Sequence, residues 1–547
     1  MKKTFLFLVL MLATIARGQG ISPMSAEGTA EGFFRTDSAV IRGRIVGYGE
    51  ETGFSTLATE IPDLVRGGQP AMITLGIGAD GRFQRTVLLR HPVLNFLSTT
   101  HASMGRRPVP FYLCPGDTLD ITLTPREDGG FTCRYSSGHA RDVERLLQHP
   151  MDYRWLGDIR RTPGTLDDYN RRAEAVWTDL QQRTDGHILA HGLTDFEAML
   201  LRREAEVEFM SAYFLRFIDL GAYIQNERPQ ALFTEGDATV DSLSSVDAYP
   251  LLRRLHADDP WLLAQSRATH VLATLPSLMP FYHPMLVRTQ GQSFMQLDET
   301  RAELEALRHT GRALLGQDHD ALLLQVAMLR LLSDEAYGEW AEADRHIDEW
   351  LAEADEDERR ELSALYRPAT ENFEATLPYL QHPALRQRAR QRFDEETRAS
   401  QTMPLPSGEG SDLIRQILAQ HPGKVVLLDF WAMWCGPCKA DIQATQALRR
   451  RLHDECPELA LVFLAHEPKP DRPPYVDFVR TYLSDEEVLP ISDDQLHLLM
   501  DLFQFSALPF AATLTPDGRL LRQSLLLSPE LTADALRRQV REVIGEE

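Results

Sequence analysis

The pattern of apolar and polar residues changes twice along the chain and divides it into three parts. Between residues 38 and 137, short runs rich in β-branched and aromatic residues, such as Val109–Leu113 and Thr118–Thr124, alternate with turns rich in Gly, Pro and Asp. This pattern is typical of an antiparallel β domain. Between residues 140 and 398, apolar residues recur every three or four positions, as in Leu304–Leu315, which is the period of an amphipathic helix. The sequence therefore predicts a β-rich domain over residues 38–137 and an all-helical segment over residues 140–398.

The pattern changes again after residues 403–412 (MPLPSGEGSD), a stretch rich in Pro, Gly and Ser that is predicted to be a linker. Lys424–Trp431 and Leu459–Ala465 are nearly continuous apolar runs, as expected for strands buried on both faces. With the segments that follow, they give the order β-α-β-α-β-β-α. We therefore expect an α/β domain over residues 413–547, and a multidomain α+β protein as a whole.

The first residues of the chain predict export. Two lysines precede the apolar run Phe5–Ile15, and small residues stand at Ala16 and Gly18, which is the pattern of a cleavable signal peptide. The run is too short to span a bilayer comfortably, although an uncleaved anchor or a buried helix remains an alternative. We expect a signal peptide over residues 1–18, a mature protein that does not span the membrane, and a location in the periplasm or cell envelope.

The length of the chain indicates how many domains to expect, and its net charge excludes one class of partner. A chain of 547 residues is too long for one hydrophobic core and suggests about three domains. It carries 80 acidic and 57 basic residues, a net charge of −23. Such a surface repels phosphate backbones, so we expect no nucleic-acid partner.

The cysteines of the segment Cys435-Gly-Pro-Cys438 carry the clearest chemical signal. A zinc site normally needs four ligands, and the nearby histidines lack the spacing for one, so we expect no metal and no cofactor. A purely structural disulfide remains an alternative, although so short a loop gives little chain-entropy stabilisation. A redox dithiol explains more of the sequence. At the start of a helix, Cys435 meets unpaired backbone N–H groups that favour its thiolate, and an exposed Cys435 would be the nucleophile. Cys438, one turn later and shielded, would resolve the mixed disulfide.

Asp429 stands six residues before Cys435, within the apolar run. A buried carboxylate is costly unless it has a role. We expect it beneath the dithiol, with a pKa raised by burial, where it takes the proton from Cys438. The alternative is an Asp at the end of a strand that bonds only to backbone.

The segment 429–439 (DFWAMWCGPCK) closely resembles the thioredoxin active site, and residues 405–545 resemble the TlpA-like group of exported bacterial thiol-disulfide oxidoreductases. Phe111–Leu123 resembles a strand-turn of the small β domain found ahead of such domains in envelope proteins. The resemblance implies a thioredoxin fold with a cis-proline at Pro509 that faces the dithiol. It also implies a substrate groove lined by Trp434, Gly436, Pro437, Leu508 and Pro509.

Two functions remain open at this point. The first is a thiol-disulfide oxidoreductase that reduces protein disulfides and is itself re-reduced by an upstream thiol electron donor. We favour reduction over oxidation because CGPC resembles the motif of the reducing members of the superfamily. The second is a binding or scaffold protein of the envelope, whose helical segment recruits a partner and whose thioredoxin domain is ancillary.

Three cysteines lie outside the CGPC segment. Cys114 and Cys133 stand in strand-like segments of one domain, and an oxidising compartment permits a structural disulfide between them. A bridge and two free thiols both remain open. Cys456 is then unpaired and is expected to pack rather than react.

Overall fold

The computed structural model describes residues 30–49, 52–66, 71–99, 108–127, 130–157, 159, 165–226, 240–278, 280–281, 296–398, 401–528 and 531–545. The expected signal peptide over residues 1–18 lies outside them. Within these ranges, every helix is too short or too polar to cross a bilayer.

The N-terminal region is built mainly of strands, as its pattern predicts. Its elements are α1 (Ala30–Phe33), β1 (Asp37–Ile45), β2 (Thr56–Ile61), β3 (Ala71–Gly76), β4 (Arg82–Leu89), β5 (Val93–Leu97), β6 (Val109–Leu113), β7 (Thr118–Pro125) and β8 (Phe131–Ser137). They form a four-stranded sheet in the order β4-β1-β7-β8 and two pairs, β2-β3 and β5-β6.

The expectation of an antiparallel β domain is wrong at one position in this sheet. β1 pairs antiparallel with β4 but parallel with β7, with Ile41 opposite Leu119. Alternating burial along a strand shows that one face is covered, but it carries no information about the direction of the neighbouring strand. The remaining strand pairs of this region are antiparallel.

The second region is helical, also as its pattern predicts. Its helices are α2 (Glu144–Gln148), α3 (Leu166–His191), α4 (Asp195–Asn226), α5 (Val240–Ser244), α6 (Ala268–Thr274), α7 (Leu297–Leu315), α8 (Leu322–Leu331), α9 (Tyr337–Glu353), α10 (Glu356–Leu365), α11 (Ala369–Thr376) and α12 (Pro383–Thr397). Local signals fix several ends. α3, for example, begins at a capping box between Thr165 and Asp168 and ends at Gly192, whose φ is 57°.

One hydrophobic core runs through the strands and the helices of these two regions. It contains Phe111 from β6 and Leu324 from α8, both with no exposed surface. The boundary that the sequence suggests near residue 138 therefore separates two kinds of secondary structure, but it does not separate two cores.

The C-terminal region is a sheet with helices on both faces. Its elements are β9 (Thr402–Pro404), α13 (Glu409–Gln420), β10 (Val425–Ala432), α14 (Gly436–Ala444), α15 (Gln446–Glu455), β11 (Leu459–His466), α16 (Pro473–Tyr482), β12 (Glu487–Ile491), α17 (Asp493–Phe503), β13 (Phe510–Leu514), β14 (Arg519–Leu521) and α18 (Ala533–Ile544). The strand order is β12-β11-β10-β13-β14-β9. β10, β11 and β12 are parallel, and β13 runs antiparallel to β10.

The predicted linker over residues 403–412 is part of this sheet region. Thr402–Pro404 forms the edge strand β9, with Pro404 opposite Arg519 of β14, and α13 already begins at Glu409. Proline is tolerated on an edge strand because its missing N–H is not needed there. A stretch rich in Pro and Gly therefore marked a sheet edge and a helix start.

The N-terminal strands dock on α17 of the C-terminal region. The Asp494 carboxylate accepts hydrogen bonds from the backbone N–H of Ser55 at 3.0 Å and from the Thr56 hydroxyl at 2.6 Å. Near the end of the helix, Arg85 forms an ion pair with Asp501 at 3.0 Å. Polar contacts thus join the two regions along the length of this helix.

Candidate active site

The two cysteines of the CGPC segment are joined in a disulfide at the start of α14. β10 leads into it from the middle of the sheet, between β11 and β13. Cys435 is the N-cap of α14, and its sulfur accepts the backbone N–H of Cys438 at 3.2 Å. Pro437 lies in the first turn, where a helix does not need its N–H. The strand therefore delivers the sulfur of Cys435 to a helix N-terminus.

The two sulfurs do not differ in burial in this disulfide form. Cys435 is 4% exposed and Cys438 is 2% exposed. The expectation of an exposed Cys435 is therefore wrong for this disulfide form, in which both cysteines belong to the same buried cluster. What distinguishes them is position, because Cys435 precedes the helix and is followed by the exposed residues Gly436 and Pro437.

Asp429 lies in β10, and all the remaining residues of that strand are buried. Its side chain retains some exposed surface, but the surrounding protein desolvates the carboxylate and so disfavours its charged form. This burial raises the pKa of Asp429 from 3.8 to about 7; the Arg449 guanidinium acts in the opposite direction, and Asp441 raises it further. Near neutral pH such a carboxyl is present in both protonation states and can accept or release a proton.

Arg449 is a buried residue near this site that sequence reasoning missed. Its guanidinium is paired with Glu486 at 2.9 Å, donates to the carbonyl oxygen of Tyr482 at 2.8 Å, and lies 5.3 Å from the ring centre of Phe463. Phe463 is the β11 residue opposite Asp429. The sequence signal was weak, since RRR at 449–451 reads as the solvated face of a helix.

His466 is a second residue that sequence reasoning missed. It is buried at the end of β11, and its Nδ1 faces the indole N–H of Trp434 at 3.4 Å while its Nε2 lies 2.7 Å from the Asp493 carboxylate. An indole N–H can only donate, so Nδ1 accepts and the ring proton lies on Nε2, which donates to Asp493. The signal that could have found it is a histidine at the end of an apolar strand, LALVFLAH.

The predicted groove residues lie around the disulfide on two segments of the chain. Trp434 is 43% exposed, and Gly436, Pro437 and Pro509 are also exposed, while Leu508 is half-buried. The Leu508–Pro509 peptide bond is cis. Pro509 immediately precedes β13, which pairs with β10. Because β10 and β13 are antiparallel neighbours, the segment that follows β10 and the segment that precedes β13 lie at the same edge of the sheet.

The possible bridge between Cys114 and Cys133 is absent from the structure, where both are free cysteines. Cys114 follows β6, which pairs with β5, whereas Cys133 lies in β8, which pairs with β7 in another sheet. Cys456 is also free and is buried at the end of α15. Across the described residues, no group of three or more His, Cys, Asp and Glu side chains could hold a metal ion.

Three curated proteins resemble parts of this chain. ResA of Oceanobacillus iheyensis, described as a thiol-disulfide oxidoreductase, is 29% identical over 105 residues, which are 19% of this chain and 50% of that protein. The thioredoxin-like protein YneN of Bacillus subtilis is 38% identical over 61 residues, 11% of this chain and 33% of that protein. Thioredoxin-1 of Caenorhabditis elegans is 64% identical over 25 residues, 5% of this chain and 22% of that protein. This chain has a thioredoxin-like, thiol-disulfide oxidoreductase-like domain.

The chain thus spans at most half the length of the curated relatives it matches. No family model matches it. Among solved structures, a putative thiol-disulfide oxidoreductase from Bacteroides vulgatus is 22% identical with a TM-score of 0.20, covering 23% of this chain and 78% of that one. A secreted disulfide oxidoreductase of Mycobacterium tuberculosis is 20% identical with a TM-score of 0.17, covering 23% of this chain and 85% of that one.

Proposed function

We propose that this protein is an exported, TlpA-like oxidoreductase of the cell envelope that reduces disulfides in protein substrates through Cys435. The observation that carries the proposal is the Cys435–Cys438 disulfide at the start of α14, together with a carboxyl in the preceding strand whose pKa is about 7. A disulfide at a helix N-terminus suits thiol exchange, because the attacking thiolate is stabilised there.

The first step is attack on a substrate disulfide by the reduced protein. The Cys435 thiolate forms a bond to one substrate sulfur, the substrate S–S bond breaks, and the other substrate sulfur leaves as a thiolate. The exposed face of Trp434 and the chain at Leu508 and Pro509 form the groove that receives the substrate backbone. The exposed position of Pro509 is consistent with that role.

The second step releases the substrate. Cys438 gives its proton to the Asp429 carboxylate and attacks the sulfur of Cys435, so that the Cys435–Cys438 disulfide forms and the substrate leaves as a dithiol. Two electrons have then moved from the protein to the substrate. An upstream dithiol donor returns the domain to its reduced form by the same exchange in reverse.

The test is reduction of insulin disulfides by the full-length protein, with dithiothreitol as the electron donor. We expect turnover above the rate with dithiothreitol alone, and its loss in Cys435→Ser. Cys456→Ser is the matched control, since it removes a buried thiol of the same domain without touching the disulfide. Equal turnover in Cys435→Ser and wild type would refute the proposal and leave the scaffold function.

The direction of electron flow has a separate test. A dithiol that reduces proteins should equilibrate near the thioredoxin potential of about −270 mV rather than the roughly −120 mV of a strong oxidant. Equilibration of the Cys435–Cys438 couple with glutathione buffers measures this value. A reduction potential near about −120 mV would instead make the protein an oxidant of substrate dithiols.

A further inference from the structure

Arg449 of α15 carries a charge that the protein encloses almost completely. Its side chain is only 1% exposed. The guanidinium donates hydrogen bonds to the Glu486 carboxylate at 2.9 Å, to the carbonyl oxygens of Ile442 at 2.9 Å and Tyr482 at 2.8 Å, and to the Thr445 hydroxyl at 2.6 Å. A buried ion pair contributes little net stability, because both of its charges lose their water. An enclosed pair of this kind is therefore a candidate for a role other than stability.

Arg449 lies on the same face of the sheet as Asp429. Leu427 and Trp431, two positions before and after Asp429 in β10, belong to the same buried cluster as Phe463 of β11. Since side chains alternate between the two faces of a strand, Asp429 is on this face as well. Phe463 is the residue opposite Asp429, and the Arg449 guanidinium lies 5.3 Å from its ring centre. The ring of Phe463 is thus next to both charged groups.

At this separation, the cation acts on the carboxyl through space. Neighbouring strands lie about 5 Å apart, which together with the 5.3 Å from ring to guanidinium puts the cation roughly 10 Å from the Asp429 carboxyl. With an effective dielectric constant of about 20, one unit charge at about 10 Å changes a pKa by about one unit. The direction agrees, because the Arg449 charge lowers the pKa of Asp429 against the larger effect of burial.

Glu486, between α16 and β12, compensates part of this positive charge. Its side chain is 4% exposed, and its second carboxylate oxygen lies 3.1 Å from the Nε2 of His453, an exposed residue of α15. A carboxylate at this position opposes the effect of Arg449 on Asp429. The electrostatic field at Asp429 therefore depends on both members of the buried pair.

Few other charges face Asp429 among the described residues. Asp441 of α14 raises its pKa. Apart from Arg449, no charged side chain of the four helices on this face, α14, α15, α16 and α18, is buried. β13 has no ionisable side chain, and His466 lies at the end of β11 against Asp493. The buried pair is thus the enclosed source of charge on this side of the sheet.

We propose that Arg449 is a positioning residue of the redox site, whose charge, partly compensated by Glu486, determines how readily Asp429 takes the proton of Cys438. This role rests on the proposed function, because it concerns the proton step that releases the substrate. Without the cation, Asp429 would stay protonated near neutral pH and could not accept a proton. With an uncompensated cation, it would be ionised but would be a weaker base.

Two variants should move the titration of Asp429 in opposite directions. Glu486→Gln keeps the shape and an acceptor oxygen for Arg449 but removes the negative charge, so Asp429 should titrate at least about half a unit lower. Arg449→Met removes the positive charge, so it should titrate at least about half a unit higher. Infrared difference spectra of the oxidised full-length protein follow the carbonyl band of the protonated carboxyl, which is assigned by its loss in Asp429→Asn.

The matched control is Glu455→Gln. It breaks the ion pair between Arg451 and Glu455 on the surface of the same helix and makes the same change in net charge as Glu486→Gln. It should leave the titration of Asp429 unchanged. An unchanged or raised titration in Glu486→Gln, or an equal shift in Glu455→Gln, would overturn the proposal. Glu486→Gln decides alone if Arg449→Met does not fold.

Release of the mixed disulfide connects the charge to the reaction. In single-turnover experiments with the reduced protein, the pH midpoint of the release step should move in the same direction as the titration of Asp429. A shifted titration with an unshifted release profile would also overturn the proposal. The titration needs no substrate, so it can be read even if wild-type protein fails to reduce insulin, an outcome that would refute the proposed function instead.

Discussion

Replacing Asp429 with Asn should stabilise the protein, and by an amount that depends on pH. Burial raises the pKa of this carboxyl from 3.8 to about 7, so the folded state disfavours its ionised form. One pKa unit corresponds to 1.36 kcal/mol, so ionising Asp429 costs the folded state at most about 4 kcal/mol. Asn has nearly the same shape and carries no charge.

The pH window follows from the direction of the shift. Because the pKa is higher in the folded state, the unfolded state gives up its proton first as the pH rises. The loss of stability therefore begins near pH 4, grows up to about pH 7, and is complete above it. We expect Asp429→Asn to raise the free energy of unfolding by about 4 kcal/mol at pH 8 and by less than about 1 kcal/mol at pH 4.

Hydrogen exchange of the peptide that covers β10 measures this effect locally, which avoids treating a chain of several regions as one cooperative unit. The oxidised full-length protein and the variant are compared at pH 4 and at pH 8. Asp454→Asn is the matched control, since it removes an exposed carboxylate from α15 and should change stability by no more than about 0.5 kcal/mol. An equal gain at both pH values, or a loss at pH 8, would refute the reasoning.

The same variant should lose activity while it gains stability. Asn cannot accept the proton of Cys438, so release of the mixed disulfide should slow by about 10²–10⁴-fold, the usual contribution of a positioned base. Formation of the mixed disulfide involves Cys435 and should change much less. Single-turnover reduction of a fluorescent disulfide peptide separates the two steps. Equal slowing of both would make Asp429 a structural residue.

Three further outcomes are expected. In the reduced protein near neutral pH, iodoacetamide should modify Cys435 before Cys438, because the helix N-terminus stabilises its thiolate; peptide mapping that finds the reverse order would exchange their roles. His466→Ala should slow insulin reduction about fivefold and shift the fluorescence of Trp434, since a hydrogen bond contributes about 1 kcal/mol, and an unchanged rate would remove His466 from the site. N-terminal sequencing of the protein from the envelope should begin after Gly18, and an N-terminus that keeps the apolar run would contradict cleavage.

The sequence was most informative where residues act locally. The CGPC segment predicted a dithiol at a helix start, and the structure has its disulfide at the N-cap of α14. An acidic residue inside an apolar run predicted the raised pKa of Asp429. Both inferences depend on neighbours within about ten positions along the chain, and such neighbours remain neighbours in any fold of that segment.

The sequence was least informative where distant segments meet. The parallel pairing of β1 with β7 joins residues about 80 positions apart, and the contact between His466 and Trp434 depends on how β11 lies beside β10. Arg449 showed the same limit, because its place in a solvated-looking run gave no sign that it would be buried with Glu486. Partners of this kind are chosen by the packing of whole elements.

The start of α17 connects the redox site to the rest of the protein. Asp493 holds His466, which contacts Trp434 beside Cys435, while the adjacent Asp494 holds the N-terminal strands through Thr56. Asp493 and Asp494 are consecutive residues in the first turn of the same helix. The contact that docks the N-terminal strands therefore lies next to the contact that holds His466 against Trp434.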